Sequence, residues 1–137
     1  MSGDSRGAAL VEAVLLCVIL LIPVAWGLAT LDQIHRAALA STAAVRDAGF
    51  EAARSPDLST AEEAIQGAVA AALHSQDLDD ENAEVTWSAP DGVARGSRIE
   101  IEVRYRVEVL GGWLPFVSVP VSARHALYVQ PFGSRDA

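Results

Sequence analysis

Residues 8–31 read AALVEAVLLCVILLIPVAWGLATL, and this stretch decides the fold because Glu12 is its only charged side chain. As an α-helix with a rise of about 1.5 Å per residue, it reaches roughly 36 Å, which exceeds the bilayer core of about 30 Å. Pro23 weakens or kinks a helix, a defect that membrane helices tolerate. The alternative, a buried core helix, needs a larger domain to enclose it on every side. The stretch therefore predicts a transmembrane helix.

The composition fits one small domain and excludes several classes of protein. The 137 residues are 51% hydrophobic, which is too apolar for an ordinary disordered chain. The only cysteine, Cys17, excludes a disulfide-stapled fold. Ten basic residues against eighteen acidic ones give a net charge of −8. The chain thus lacks the clustered positive charge that nucleic-acid binding requires, and no nucleic-acid partner is expected.

Three interpretations of the apolar stretch compete. A secretory signal peptide would use Arg6 as its basic start and residues 27–29, GLA, as its cleavage site, but Glu12 interrupts the apolar region. A lipoprotein would be lipidated at Cys17, yet Leu16 stands where a small residue is expected. The third interpretation is a retained N-terminal anchor, which Glu12 favours.

Glu12 favours a retained anchor because a carboxylate among apolar side chains costs a few kcal/mol in a membrane and is usually paired or functional. The next cations downstream, His35 and Arg36, are too far along the chain. A cut between Gly7 and Ala8 would place a new α-amino group one helical turn from Glu12, on the same face. That amine could equally reach the Glu12 of an adjacent subunit. The alternative is that Glu12 simply extends to the membrane interface.

Residues 6–12, RGAALVE, followed by LLIP at residues 20–23 and an Ala/Arg-rich helix, resemble the N-terminus of the TadE-like family. These proteins are pseudopilins of the tight-adherence (Flp) pilus system, and the start also looks like that of type IV pilin-like precursors. The resemblance covers roughly the first 45 residues. It implies that a prepilin peptidase cleaves after Gly7, that Ala8 is the mature N-terminus, and that Glu12 serves subunit registration.

The same resemblance implies the partners and the location. The partners would be other pilins or pseudopilins and the inner-membrane pilus assembly platform. The chain would be a single-pass protein of the cytoplasmic (inner) membrane, with its C-terminal domain extracytoplasmic. Charge alone does not choose an orientation, because Arg6 precedes the span and Arg36 and Arg46 follow it. The alternative function is a secreted or singly anchored extracytoplasmic binding domain with an ordinary signal sequence.

The sequence divides into five segments. Residues 1–7 form a leader peptide, 8–31 the transmembrane helix and 32–55 its amphipathic continuation, with Leu31, Ile34, Ala38, Val45 and Ala48 at approximate helical spacing. Pro56 ends this helix. Residues 56–130 form a small α+β domain, and 131–137 a loose tail.

The small domain is predicted to contain one helix and three antiparallel strands. The helix starts near Thr60, which has capping-box spacing to Glu63, and ends by Ser75. Its apolar stripe comprises Ala64, Ile65, Ala68, Val69, Ala72 and Leu73. From residue 83 the hydrophobic period becomes two, with strands from 83, over 98–109, and from 117 to about 129. The fold class is α+β, with the second helix packed on the sheet. Pro120 predicts an edge position for the third strand.

Nothing in the sequence indicates catalysis. His35, His74 and His125 lie on three predicted elements and form no metal-ligand spacing. The acidic run at residues 77–81 lacks the spaced ligands and glycine of a calcium loop and is expected to be a solvated turn. The sequence therefore predicts no enzyme, no cofactor, no metal and no small-molecule substrate.

One further candidate contact lies in the loop at residues 111–116, GGWLPF. Trp113, Leu114 and Phe116 are too apolar for an ordinary exposed turn, so they could contact a partner or the bilayer surface. The alternative is that this loop folds back over the small core.

Overall fold

The computed structural model describes residues 4–109 and 117–129. Its elements are α1 (Asp4–Arg54), α2 (Leu58–His74), a 3-10 turn (Asp80–Asn82), β1 (Ala83–Ser88), β2 (Arg98–Glu108) and β3 (Ser118–Tyr128). A long N-terminal helix, a second helix and a three-stranded antiparallel sheet make an α+β fold, which confirms the predicted class. The chain divides into two compact units, Met1–Gln33 and Ile34–Ala137, and α1 contributes residues to both.

The first unit is the N-terminal part of α1. Residues 4–29 are exposed throughout, and Pro23 is accommodated inside the helix. Within the described ranges, α1 is the one helix long and apolar enough to cross a membrane. The predicted membrane-type helix is therefore present in the fold.

Residues 34–54 of α1 contribute to the core of the second unit. The buried residues there are small ones, together with a single valine: Ala37, Ala40, Ser41, Ala44, Val45, Ala48, Gly49 and Ala52. Of the five residues at helical spacing, Val45 and Ala48 are buried in this core, whereas Leu31 belongs to the first unit and is 62% exposed. The small side chains on the buried face of α1 let this helix approach the sheet closely. At Gly49 an added Cβ would overlap the Leu127 side chain of β3.

The second helix begins earlier than the sequence indicated. Asp57, not Thr60, is its N-cap, and a carboxylate oxygen of Asp57 accepts hydrogen bonds from the Thr60 backbone N–H (2.8 Å) and the Ser59 hydroxyl (2.7 Å). A carboxylate at this position also interacts favourably with the helix dipole, so the helix begins at Leu58, two residues before Thr60. The inward face is as predicted at Ile65, Val69, Ala72 and Leu73, and Ala61 extends it.

The Asp57 cap makes a testable contribution to stability. Hydrogen bonds from the Thr60 N–H and the Ser59 hydroxyl hold the pKa of Asp57 below its ordinary value of 3.8. A carboxyl with a depressed folded-state pKa stabilises the fold above its unfolded pKa, and this contribution is lost as the pH falls through the folded pKa. We expect Asp57→Asn, which keeps a capping oxygen but does not titrate, to show a smaller loss of stability in acid than the wild type. Urea midpoints measured above and below about pH 4 test this, and identical acid slopes for both proteins would contradict it.

The sheet has the order β1-β2-β3, with both pairs antiparallel. The central strand β2 buries every second residue, namely Ile99, Ile101, Val103, Tyr105 and Val107. The same face of both edge strands is half-buried. Pro120 lies in the edge strand β3, as predicted. Because the strand period is two, the sheet presents one apolar face to the core and one charged face outward.

Opposite charges are paired on the outward face of the sheet. The Glu102 carboxylate accepts hydrogen bonds from Arg124 of β3 (2.8 Å) and Arg104 of β2 (3.1 Å). These guanidinium groups, Arg124 first, hold the pKa of Glu102 below its usual range. The face is thus a solvated surface of matched charges, as the mixed signs in the sequence indicate.

Candidate functional site

The residues predicted for processing and registration all lie in the first turns of α1. Gly7, Ala8 and Glu12 are exposed, and Ala8 lies four residues before Glu12, which is one turn along the same face. A Cβ added at Gly7 would meet nothing within 4 Å. Packing against residues 4–109 and 117–129 therefore does not require glycine here, although glycine in a helix costs about 0.5–1 kcal/mol relative to alanine.

Glu12 forms no hydrogen bond or ion pair with any residue of the ranges 4–109 and 117–129. Its neighbours on α1 are apolar and exposed, as at Val11 (67%) and Leu15 (57%). A carboxylate in such surroundings is stable in water and costly in hydrocarbon. If this helix inserts into a membrane, a positively charged partner near Glu12 would therefore lower the free energy of insertion.

The N-terminal part of α1 is an exposed apolar surface from Ala8 to Ala29, with Glu12 as its one charged side chain. Most of its large side chains are more than half exposed, including Leu10 (68%), Leu20 (68%) and Leu28 (64%). An apolar surface of this extent marks association with a membrane or with other proteins. It is therefore a candidate interaction surface.

A shallow groove of about 650 Å³ lies between α1 and α2. Phe50 and the alanines Ala68, Ala71 and Ala72 line it, and Glu51 and Arg54 at its edge form an ion pair of 3.6 Å. The groove holds no histidine or cysteine. Its lining offers an apolar surface with charged edges.

The other residues considered in the sequence do not form a site in the described part of the chain. In the described part of the chain, no group of three His, Cys, Asp or Glu residues is placed to hold a metal ion. His35, His74 and His125 lie on α1, α2 and β3. The acidic run at 77–81 forms the turn after α2, with Asp77 at a φ of 55°, and enters the 3-10 turn. The predicted contact residues Trp113, Leu114 and Phe116, and the tail at 131–137, lie outside the described residues.

These features define an α+β chain whose N-terminal helix is long and apolar enough to span a membrane. No protein-family model, curated protein or solved structure matches the chain. The sequence prediction did not single out two exposed apolar residues of α1 in the second unit, Leu39 (52%) and Phe50 (50%). Their helical spacing was the signal that could have found them.

Proposed function

We propose that this chain is a membrane-anchored, TadE-like pseudopilin or minor pilin that contributes to assembly of a Flp-type (Tad) pilus. It acts by helix–helix association and carries out no catalysis. The single observation that supports this most is the placement of Gly7, Ala8 and Glu12 on an exposed apolar helix. Among the described residues, nothing packs against the position of a Cβ at Gly7 and Glu12 has no partner, which supports a role for both residues in processing and subunit contact.

The proposed mechanism begins with cleavage by a prepilin peptidase after Gly7. The Gly7–Ala8 bond lies at the end of the first turn of α1, which begins at Asp4. First turns fray readily because their N–H groups lack helical partners, so the bond can reach the extended form that a peptidase needs. Cleavage leaves the α-amino group of Ala8 one turn from Glu12, within the chain or across to a neighbouring subunit.

That amine would fix the register of association. In the membrane, a charged pair is favoured over an isolated carboxylate. Neighbouring helices are therefore most stable in the register that pairs Glu12 with an α-amino group. The partners are other pilins or pseudopilins and the inner-membrane assembly platform. The location that we propose is the cytoplasmic (inner) membrane, with a single span and the α+β domain extracytoplasmic.

The N-terminus of the mature protein tests the proposal. Protein extracted from membranes of cells with an active prepilin peptidase is expected to begin at Ala8, as measured by N-terminal sequencing and intact mass. A peptidase-deficient strain is the control, and its protein should keep residues 1–7. A start near Thr30 would show an ordinary signal peptidase and a secreted binding domain, and an intact N-terminus in both strains would also contradict the proposal.

Replacement of Glu12 tests the registration step separately. We expect Glu12→Ala to leave membrane insertion intact, because it removes only a charge from an apolar helix. Co-purification with other pilus components is expected to fall by about tenfold, which corresponds to about 1.4 kcal/mol of lost pairing. Val14→Ala is the matched control, since Val14 is exposed on the same helix and carries no charge. Equal co-purification of the two variants would count against the role of Glu12.

A further inference from the structure

One long side of the sheet has no strand beside it among residues 4–109 and 117–129. β3 pairs with β2 along its whole length, and no described strand pairs with its other side. Edge strands present unpaired N–H and C=O groups, which proteins usually protect with proline, charged side chains or a covering element. The outer side of β3 is therefore a surface that can accept a further strand through backbone hydrogen bonds.

The hydrogen bonds at the two ends of β3 identify the backbone groups that point outward. The Val109 N–H donates to the Val117 carbonyl (3.2 Å), and the Val129 N–H donates to the Ser97 carbonyl (2.9 Å). Hydrogen-bonded pairs alternate in an antiparallel ladder, so the odd-numbered residues of β3 bond to β2. The even-numbered residues direct their N–H and C=O groups to the outer side. Pro120 is one of these, so its missing N–H costs no bond within the sheet.

Residues 122–128, which we name the open edge, follow Pro120 and contain no proline or glycine. The outward backbone groups of the open edge belong to Ser122, Arg124, Ala126 and Tyr128. They extend over roughly 20 Å at about 3.4 Å per residue. A strand of about seven residues, close to the usual length of strands in proteins, would satisfy all of them.

The charge of β3 indicates which kind of strand would fit. The whole chain has a net charge of −8, yet β3 contains Arg124 and His125 and no acidic residue. The Arg124 side chain is 69% exposed, and its Nη2 lies 2.8 Å from a carboxylate oxygen of Glu102. Because a guanidinium has five N–H donors, Arg124 can bind a second carboxylate. An acidic side chain directly opposite Arg124 on the added strand would form a favourable cross-strand pair.

The other face of the added strand would lie against partly apolar surface. Side chains alternate between the two faces along a strand, so every second residue would stand beside Ala123, His125 and Leu127 on the core side. These three residues are half-buried, and the Leu127 side chain lies against Gly49 of α1. Aliphatic side chains on this face would remove apolar surface from water that the fold leaves partly exposed.

A second copy of this chain does not fit the open edge in the same way. Both α1 and α2 share one core with the inward face of the sheet. Two helices of about 10 Å diameter are wider than three strands spaced about 4.8 Å apart. Antiparallel pairing of two β3 strands would place both pairs of helices on the same face, where they would overlap. An extended segment that carries no helices of its own avoids this overlap.

We propose that the open edge binds an extended segment of another protein as an added β-strand, and that acidic and aliphatic residues alternate in this segment. Backbone hydrogen bonds supply the affinity, and the carboxylate opposite Arg124 supplies the sequence preference. The inference goes beyond the proposed function and does not depend on it, because every residue of the open edge lies in the second unit.

Binding of synthetic peptides to the full chain in mild detergent tests the charge preference. The probes are fluorescent peptides of about seven residues, one alternating valine with glutamate and the other alternating valine with lysine. Fluorescence anisotropy is expected to show several-fold tighter binding of the glutamate peptide, because lysine meets Arg124 with like charge. Arg124→Glu should reverse this preference. Equal binding of the two peptides, binding of neither, or a preference that Arg124→Glu leaves unchanged would overturn the proposal.

A proline within the open edge tests the backbone hydrogen bonds. Ala126→Pro removes an outward N–H but no bond to β2, so binding of the glutamate peptide is expected to weaken about tenfold. Ser118→Pro is the matched control, because Ser118 lies on the same side of β3 but outside residues 122–128. Circular dichroism checks that both variants keep the sheet, and the Arg124→Glu reversal decides the question if Ala126→Pro does not fold. Equal binding by two folded proline variants would contradict the proposal.

Amide hydrogen exchange tests for any other occupant of the open edge. Without peptide, its outward N–H groups should exchange at least about tenfold faster than those of His125 and Leu127, and the glutamate peptide should slow them. Slow exchange before the peptide is added would mean that another part of this chain, or a second copy, already covers the open edge. That result would overturn the proposal.

Discussion

Replacing Ile101 with alanine is expected to lower the free energy of unfolding of the second unit by about 2–5 kcal/mol. Ile101 is 1% exposed on the central strand, with Trp87 of β1 and His125 of β3 as its register partners. Both neighbouring strands fix the backbone around it, so the structure cannot collapse far into the space that the lost methyl and methylene groups leave. A cavity among ordered neighbours adds its own cost to the lost transfer free energy.

The measurement is denaturant unfolding of the full chain in mild detergent, followed by near-ultraviolet circular dichroism. Leu58→Ala serves as the control because it removes an aliphatic side chain that is 49% exposed. We expect the control to change the free energy of unfolding by less than about 0.5 kcal/mol. Similar losses for the two variants would mean that Ile101 does not lie in a packed core.

The second large effect is expected at Gly49, where α1 meets β3. A Cβ atom at this position would overlap Cδ2 of Leu127 and lie 3.4 Å from Cδ2 of His125. Gly49→Val forces the helix or the Leu127 side chain to move, and overpacking of this kind costs about 1–3 kcal/mol. Valine has a better intrinsic helix propensity than glycine, so any loss of stability arises from packing and not from the helix itself.

Gly67→Val is the matched control for this substitution. Gly67 also lies inside a helix, α2, but an added Cβ there meets nothing within 4 Å. The same change should leave the free energy of unfolding within about 0.5 kcal/mol of the wild type. If both valine variants lose equal stability, the close approach of α1 to β3 is not the cause.

The fold class was predictable because its signals are strong and local. The apolar stretch at 8–31 is too long and too uniform for a small core. The strict alternation from Arg98 to Glu108 fixes both the strand and its buried face, since a strand has only two faces. Ser55 and Pro56 stop the first helix after Arg54 because the residue before proline avoids helical geometry.

The start of α2 and the buried face of α1 were harder to predict. Both Asp57 and Thr60 are good capping residues, and only the observed hydrogen bond to the Thr60 N–H selects Asp57. Alanines occur on both the buried and the exposed sides of α1, as at Ala44 and Ala43, so side-chain type alone does not mark the limits of the buried face. The close contact at Gly49 favours the smallest side chains on the buried face.

By itself, the sequence determined the membrane-type helix, the second helix, the three strands and the Gly7–Glu12 spacing, because each depends on length, period or distance along one segment. The tertiary structure alone decided which alanines of α1 meet the sheet, and it thereby left Leu39 and Phe50 on the outside. Small side chains on different sides of α1 differ little in hydrophobicity, so the fit against β3 and α2 decides which of them are buried.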